Sequence, residues 1–154
     1  ILLHELGHIL SIGENIHPRW DQPPAADSSL DPYPFARLSW EIMNAGKGYA
    51  SLFEKEFPQR KDVVYYFGAK LYGGQMVKVY DRLERTNYPT LYAATSPGDD
   101  FAESFVSYVH AVLQRRPLAI RLYRDGKLVK TYKSCWEEKR CAAKRKILEE
   151  FLKP

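Results

Sequence analysis

Near the start of this 154-residue chain, two histidines stand four residues apart in His4-Glu5-Leu6-Gly7-His8, with an acid beside the first. Positions four apart share a helix face, so both imidazoles can address one metal ion while Glu5, a step around the helix, reaches water beside it. Zinc suits such a pair. It lowers the pKa of bound water to about 7, and a neighbouring carboxylate can take the proton released. Leu2, Leu3, Leu6, Ile9 and Leu10 recur at helical spacing, so residues 1–11 are expected to be helical, with Gly13 as the stop. Histidines that merely pack or cap a helix remain the plainer alternative.

A catalytic zinc takes three protein ligands and keeps a fourth position open. The metzincin pattern, with Gly three residues and His six residues after the second motif histidine, is not met. Those positions hold Ser11 and Glu14, and Gly13 and His17 come too late. A carboxylate from a second helix is the other route, and the segment Tyr92-Ala-Ala-Thr-Ser-Pro-Gly-Asp99-Asp100-Phe-Ala-Glu103-Ser-Phe105 draws notice. It resembles the active-site segment of the anthrax lethal factor group and the bacterial Pro-Pro endopeptidases. In these gluzincins a tyrosine precedes the ligand glutamate by seven residues and a second acid follows it by four. The resemblance is confined to the motif at His4–His8 and the 14 residues from Tyr92 to Phe105.

The resemblance implies a zincin-like metallopeptidase holding Zn2+ through His4, His8 and Asp99. It implies Glu5 as general base, Tyr92 as donor to the transition-state oxyanion, and Glu103 as the acid supporting a ligating histidine. Asp99 departs from the family glutamate by one methylene, so its helix must approach more closely to keep a Zn–O distance of about 2.0 to 2.2 Å. Glu103, one turn on and on the same face, is the alternative ligand, and exchanged roles stay open. So does a role for both acids in complementing a helix N-terminus. Tyr88 competes with Tyr92 for the pocket. His110, eleven residues or about 16 Å of helix beyond Asp99, is too distant for the same ion and reads as structural.

The elements that must position these residues are legible to different degrees. Ser96 as cap, Pro97 in the first turn and Asp99 and Asp100 near the positive end predict a helix with Ala102, Phe105, Val106, Val109 and Leu113 on its core face. Five of the ten prolines fall between Pro18 and Pro34, so a long irregular loop is expected there. LSWEIM reads as a strand or a helix entry, YASLFEKEF as a short helix, and VVYYFGAKLY as either strand or buried helix. Residues 75–86 place Met76, Val77, Tyr80 and Leu83 on one helical face. IRLYRDGKLVKTY predicts a hairpin around Asp125-Gly126, followed by a helix over 141–152.

The elements make the fold class α+β, and the resemblance implies the mostly helical C-terminal portion of a zincin fold whose upstream sheet lies outside this sequence. We expect upstream residues because the chain opens on Ile1 inside a helical pattern. Residues 1–116 are assigned to a partial catalytic domain, and 117–154 to a basic hairpin and helix appended to it. Residues 115–154 carry 13 Lys/Arg against 5 Asp/Glu, which offers a surface to anions but brings no nucleic-acid motif, and a solvated helix face is the simpler reading. No apolar run approaches the ~20 residues of a membrane span. Cys135 and Cys141 fit neither a zinc knuckle nor a redox motif, and can pair only if Cys135 precedes the helix that Cys141 enters.

A secreted or periplasmic bacterial zinc endopeptidase, toxin-like by resemblance and acting on protein or peptide substrates, is the leading expectation. The alternatives are an inactive zinc-site interaction module, and an anionic-surface or nucleic-acid binder using the basic tail.

Overall fold

Ser96 begins the helix on which the candidate site depends. Its Oγ accepts from the Asp99 backbone N–H and Pro97 occupies the first turn, so α3 runs over Pro97–Tyr108 and continues as a π-helical segment, Val109–Leu113. In the computed structural model, residues 1–12, 14–19, 22, 24–25, 28–43, 46–65 and 68–153 are described. Around α3 stand α1 (Leu2–Ser11), α2 (Met76–Leu83) and α4 (Ala142–Phe151). Among the described residues two antiparallel strand pairs accompany them, β1 (Trp40–Ile42) with β2 (Tyr49–Ser51) and β3 (Ala119–Arg124) with β4 (Lys127–Lys133). The class is α+β, as the sequence indicates.

α1 forms where expected, with its apolar stripe turned away from the core. Its buried residues are His4, Gly7 and Ser11, which lie against α3, while Leu2, Leu6, Ile9 and Leu10 are exposed. The small and polar face turns inward because Gly7 has no side chain to hold α3 off and His4 finds a hydrogen-bond partner there. Gly13, the expected stop, lies outside the described residues. Ile12 is already extended.

Other differences have local causes. In α3, Phe101, Ala102 and Phe105 are buried, but Leu113 is 56% exposed, because the π segment shifts the apolar stripe off the core. Tyr49, Ala50 and Ser51 pair with Ile42, Glu41 and Trp40, so the strand takes the start of the expected short helix and only turns follow. Of residues 63–72, Tyr66 and Phe67 lie outside the described residues; the others form neither helix nor strand. In α2 it is Val79, Tyr80 and Leu83 that are buried. The β3–β4 hairpin turns at Asp125 (φ 49°) and Gly126 (φ 75°), the two positive-φ positions of a type I′ turn.

Two apolar clusters form the core. One includes Trp40, Phe57, Val79, Leu83, Tyr88 and Tyr132, the other Phe35, Phe101, Phe105, Tyr108, Trp136 and Leu148. Where they meet, Lys144 of α4 and Asp100 of α3 form a fully buried ion pair, Nζ to Oδ1 2.5 Å. Lys144 Nζ lies 4.9 Å over the Tyr88 ring and 5.1 Å over that of Phe35, and Trp40 Nε1 donates to Asp100 Oδ2 at 3.0 Å. Burial pushes the Asp100 carboxyl up and the Lys144 amine down, against their mutual attraction. Cys135 and Cys141 are disulfide-bonded, with α-carbons 5.7 Å apart. Cys141 ends the short 3-10 turn that leads into α4.

Breaking this ion pair from one side strands a charge in the core. Lys144→Ala is expected to lower the unfolding free energy by about 3 to 5 kcal/mol, and the paired change Asp100→Leu with Lys144→Met to recover most of it. Urea denaturation of the three proteins checks this; native-like stability in Lys144→Ala contradicts it.

Candidate metal centre

α1 and α3 bring three donors onto one point. His4 Nε2 and His8 Nε2 lie 3.0 Å apart, and Asp99 Oδ1 is 3.7 Å from each. A triangle with sides of 3.0, 3.7 and 3.7 Å has a circumradius of about 2.0 Å, the length of zinc bonds to imidazole nitrogen and carboxylate oxygen. Two bare nitrogen lone pairs repel at 3.0 Å, so the pair requires a shared proton or a cation. Burial first and the charge of His4 second push the His8 imidazole below its usual range, outweighing Asp99 and Glu5. This favours the neutral ring that a metal ligand must present. The donor set fits zinc.

Each donor is oriented from behind. His4 Nδ1 donates to Glu103 Oε1 at 2.9 Å, which leaves the Nε2 lone pair directed to the shared point. Glu103 is fixed in turn by Thr90, whose hydroxyl donates to Oε2 at 2.7 Å. The carboxylate–histidine arrangement sets both ring orientation and tautomer. Asp99 presents Oδ1 to the histidines because its other oxygen is occupied: Ser96 Oγ donates to Oδ2 at 2.7 Å, and Thr95 Oγ1 lies 2.9 Å from it. The two acids thus have different parts, with Asp99 oxygen at the donor point and Glu103 behind His4.

Glu5 is exposed and lines a cleft of about 560 Å³ together with His8, Asp99, Ile9, Ile12 and Tyr49. Tyr92 starts the 3-10 turn Tyr92–Ala94, and its ring stacks on that of His4, centroids 5.2 Å apart and planes 7° from parallel. Arg60 Nη1 donates to Ala94 O at 3.2 Å, which steadies this turn. Tyr88 is wholly buried, its hydroxyl 2.7 Å from Ser51 Oγ and 3.2 Å from Ser39 O, so it belongs to the core. His17 is half-buried, and both its nitrogens are engaged, Nδ1 with Pro18 O and Nε2 with Ser11 Oγ, each at 2.8 Å. It stands outside the triad of donors.

Comparison of the chain with profiles of known protein families, with curated proteins and with solved structures found no match. The site therefore has to be argued from its own chemistry. Sequence reasoning missed Thr90, which stands 13 residues before the acid it orients and follows no local spacing rule. Ser96 was legible as a helix cap, but its second hydrogen bond, to the side chain of the residue it caps, was not.

The His4–Glu103 bond makes one prediction for the metal-free protein. Long-range 1H–15N spectra should show His4 with its proton on Nδ1, and Glu103→Ala should move the population toward the Nε2–H tautomer. An Nε2–H tautomer in the native protein contradicts the geometry.

Proposed function

We propose that this chain carries the catalytic centre of a zincin-type zinc endopeptidase. The observation that carries the reading is the convergence of His4 Nε2, His8 Nε2 and Asp99 Oδ1, with Glu103 supporting His4. Zinc held there supplies Lewis acidity toward a peptide carbonyl and lowers the pKa of water. The remaining work falls to the chain. Glu5, on the cleft wall beside His8 and Asp99, takes a proton from water and returns it to the leaving amine. Tyr92, by the resemblance that named it, donates its hydroxyl to the oxyanion of the tetrahedral transition state. Its ring packing on His4 supports that assignment.

The cleft accepts an extended peptide, with Ile9, Ile12, Pro18 and Tyr49 offering apolar contact. The disulfide supports an oxidising, exported location, secreted or periplasmic, in which such a bond persists. Among the described residues no helix is long and apolar enough to cross a membrane. A non-catalytic zinc module would use the same three ligands. Glu5 favours chemistry over that reading, because its carboxylate shares the cleft with His8 and Asp99, where a general base has to stand. The basic C-terminal tail offers the weakest case, since no nucleic-acid recognition motif accompanies its charge.

The test joins zinc content to peptide hydrolysis. The native protein is expected to bind one zinc and to cleave members of a peptide library, with cleavage abolished by 1,10-phenanthroline. Glu5→Gln should keep its zinc and lose about 10²- to 10⁴-fold in rate, whereas Tyr92→Phe should lose about 10²-fold with zinc retained. Asp99→Ala should lose stoichiometric zinc, and Glu103→Ala should keep it with affinity about 10- to 100-fold weaker. Cleavage that survives chelation, or full activity in Glu5→Gln, refutes the proposal.

A further inference from the structure

Gly7 lies between the two motif histidines on the face of α1 that meets α3. A Cβ added there would stand 3.0 Å from Ala102 Cα and 3.4 Å from both Ala102 Cβ and Phe105 Cδ1. The nearest atom is backbone, which cannot rotate aside as the tip of a side chain can. Ala102 follows Asp99 by three residues and precedes Glu103 by one, all within the single rigid helix α3. A side chain at position 7 therefore asks α3 to give by a few tenths of an ångström, and α3 carries both acids of the site.

Asp99 has no reserve of length to absorb such a movement. Its Oδ1 stands 3.7 Å from each histidine nitrogen while Oδ2 is tied to Ser96 and Thr95, so the short side chain is fixed by one oxygen and directs the other to the donor point. We propose that Gly7 is a positioning residue that sets the α1–α3 separation to what an aspartate can bridge, so that Gly7 and Asp99 form a matched pair. Bulk at position 7 and length at position 99 must then trade against each other: a wider gap calls for the extra methylene of glutamate. This inference rests on the zinc reading above and adds to it the reason an aspartate serves here.

The test measures zinc dissociation constants by competition with a chromophoric chelator for the native chain, Gly7→Ala, Asp99→Glu and the double variant. Thermal unfolding in EDTA is followed in parallel. Each single change is expected to weaken zinc binding about tenfold or more. The double variant should bind zinc more tightly than Gly7→Ala, while its metal-free unfolding midpoint stays as low as that of Gly7→Ala. Longer ligand reach restores metal affinity; it does not relieve overpacking.

Should Gly7→Ala fail to fold, Asp99→Glu decides alone, since it meets the native helix spacing with one methylene too many. Zinc binding by Asp99→Glu as tight as the native, or by the double variant no tighter than Gly7→Ala, overturns the matched pair and leaves the metal reading standing. A native protein that binds no zinc overturns both.

Discussion

A side chain as short as aspartate can meet two imidazoles of a neighbouring helix only where the backbones come close, and here they do so at Gly7 and Ala102. A Cβ on Gly7 would fall 3.0 Å from the Ala102 α-carbon, inside ordinary contact distance. The rest of the site follows from that approach. With α3 so near, His4 can give its Nδ1 proton to Glu103 and turn Nε2 outward, and Asp99 can meet the two imidazoles despite its short side chain. The approach also explains why α1 buries His4, Gly7 and Ser11 and leaves its leucines and isoleucines exposed, against the usual rule for an amphipathic helix.

Holding α3 in place falls to the neighbouring acid. One residue on a helix is about 100° of rotation, so Asp99 and Asp100 leave the first turn in different directions. Asp99 faces the histidines. Asp100 enters the core, where Lys144 of α4 and Trp40 of β1 satisfy it. A buried pair of this kind adds little net stability, since desolvation offsets most of the attraction, but it specifies one geometry because any misplacement leaves a charge unpaired. Lys144 is itself positioned by α4, whose entry is tied through Cys141 to Cys135. The C-terminal elements thereby act on the candidate centre from the far side of α3.

What was legible in the sequence were features with short, local causes. The helix starting at Ser96, the Asp125-Gly126 turn and the motif at His4–His8 each declare themselves within a few residues, and the structure has all three elements. The convergence of His4, His8 and Asp99 spans more than ninety residues and was reachable only through resemblance. Which acid faces the donor point depends on hydrogen bonds from Thr90, Thr95 and Ser96 that no spacing encodes. The spacing in α1 predicted a helix and left its inward face undecided. Hydrophobic periodicity reports which side could be buried, whereas a glycine contact and one His–Glu bond decided which side was. The strand at Tyr49–Ser51 was likewise set by a partner, Trp40–Ile42, and not by local preference.

Anomalous diffraction at the zinc edge from crystals of the zinc-loaded protein tests the central claim most directly. The account requires one strong peak at about 2.0 to 2.1 Å from His4 Nε2, His8 Nε2 and Asp99 Oδ1, with Glu103 bonded to His4 and not to the ion. A peak ligated by Glu103 in place of Asp99, or the lack of any peak between the two helices, contradicts it.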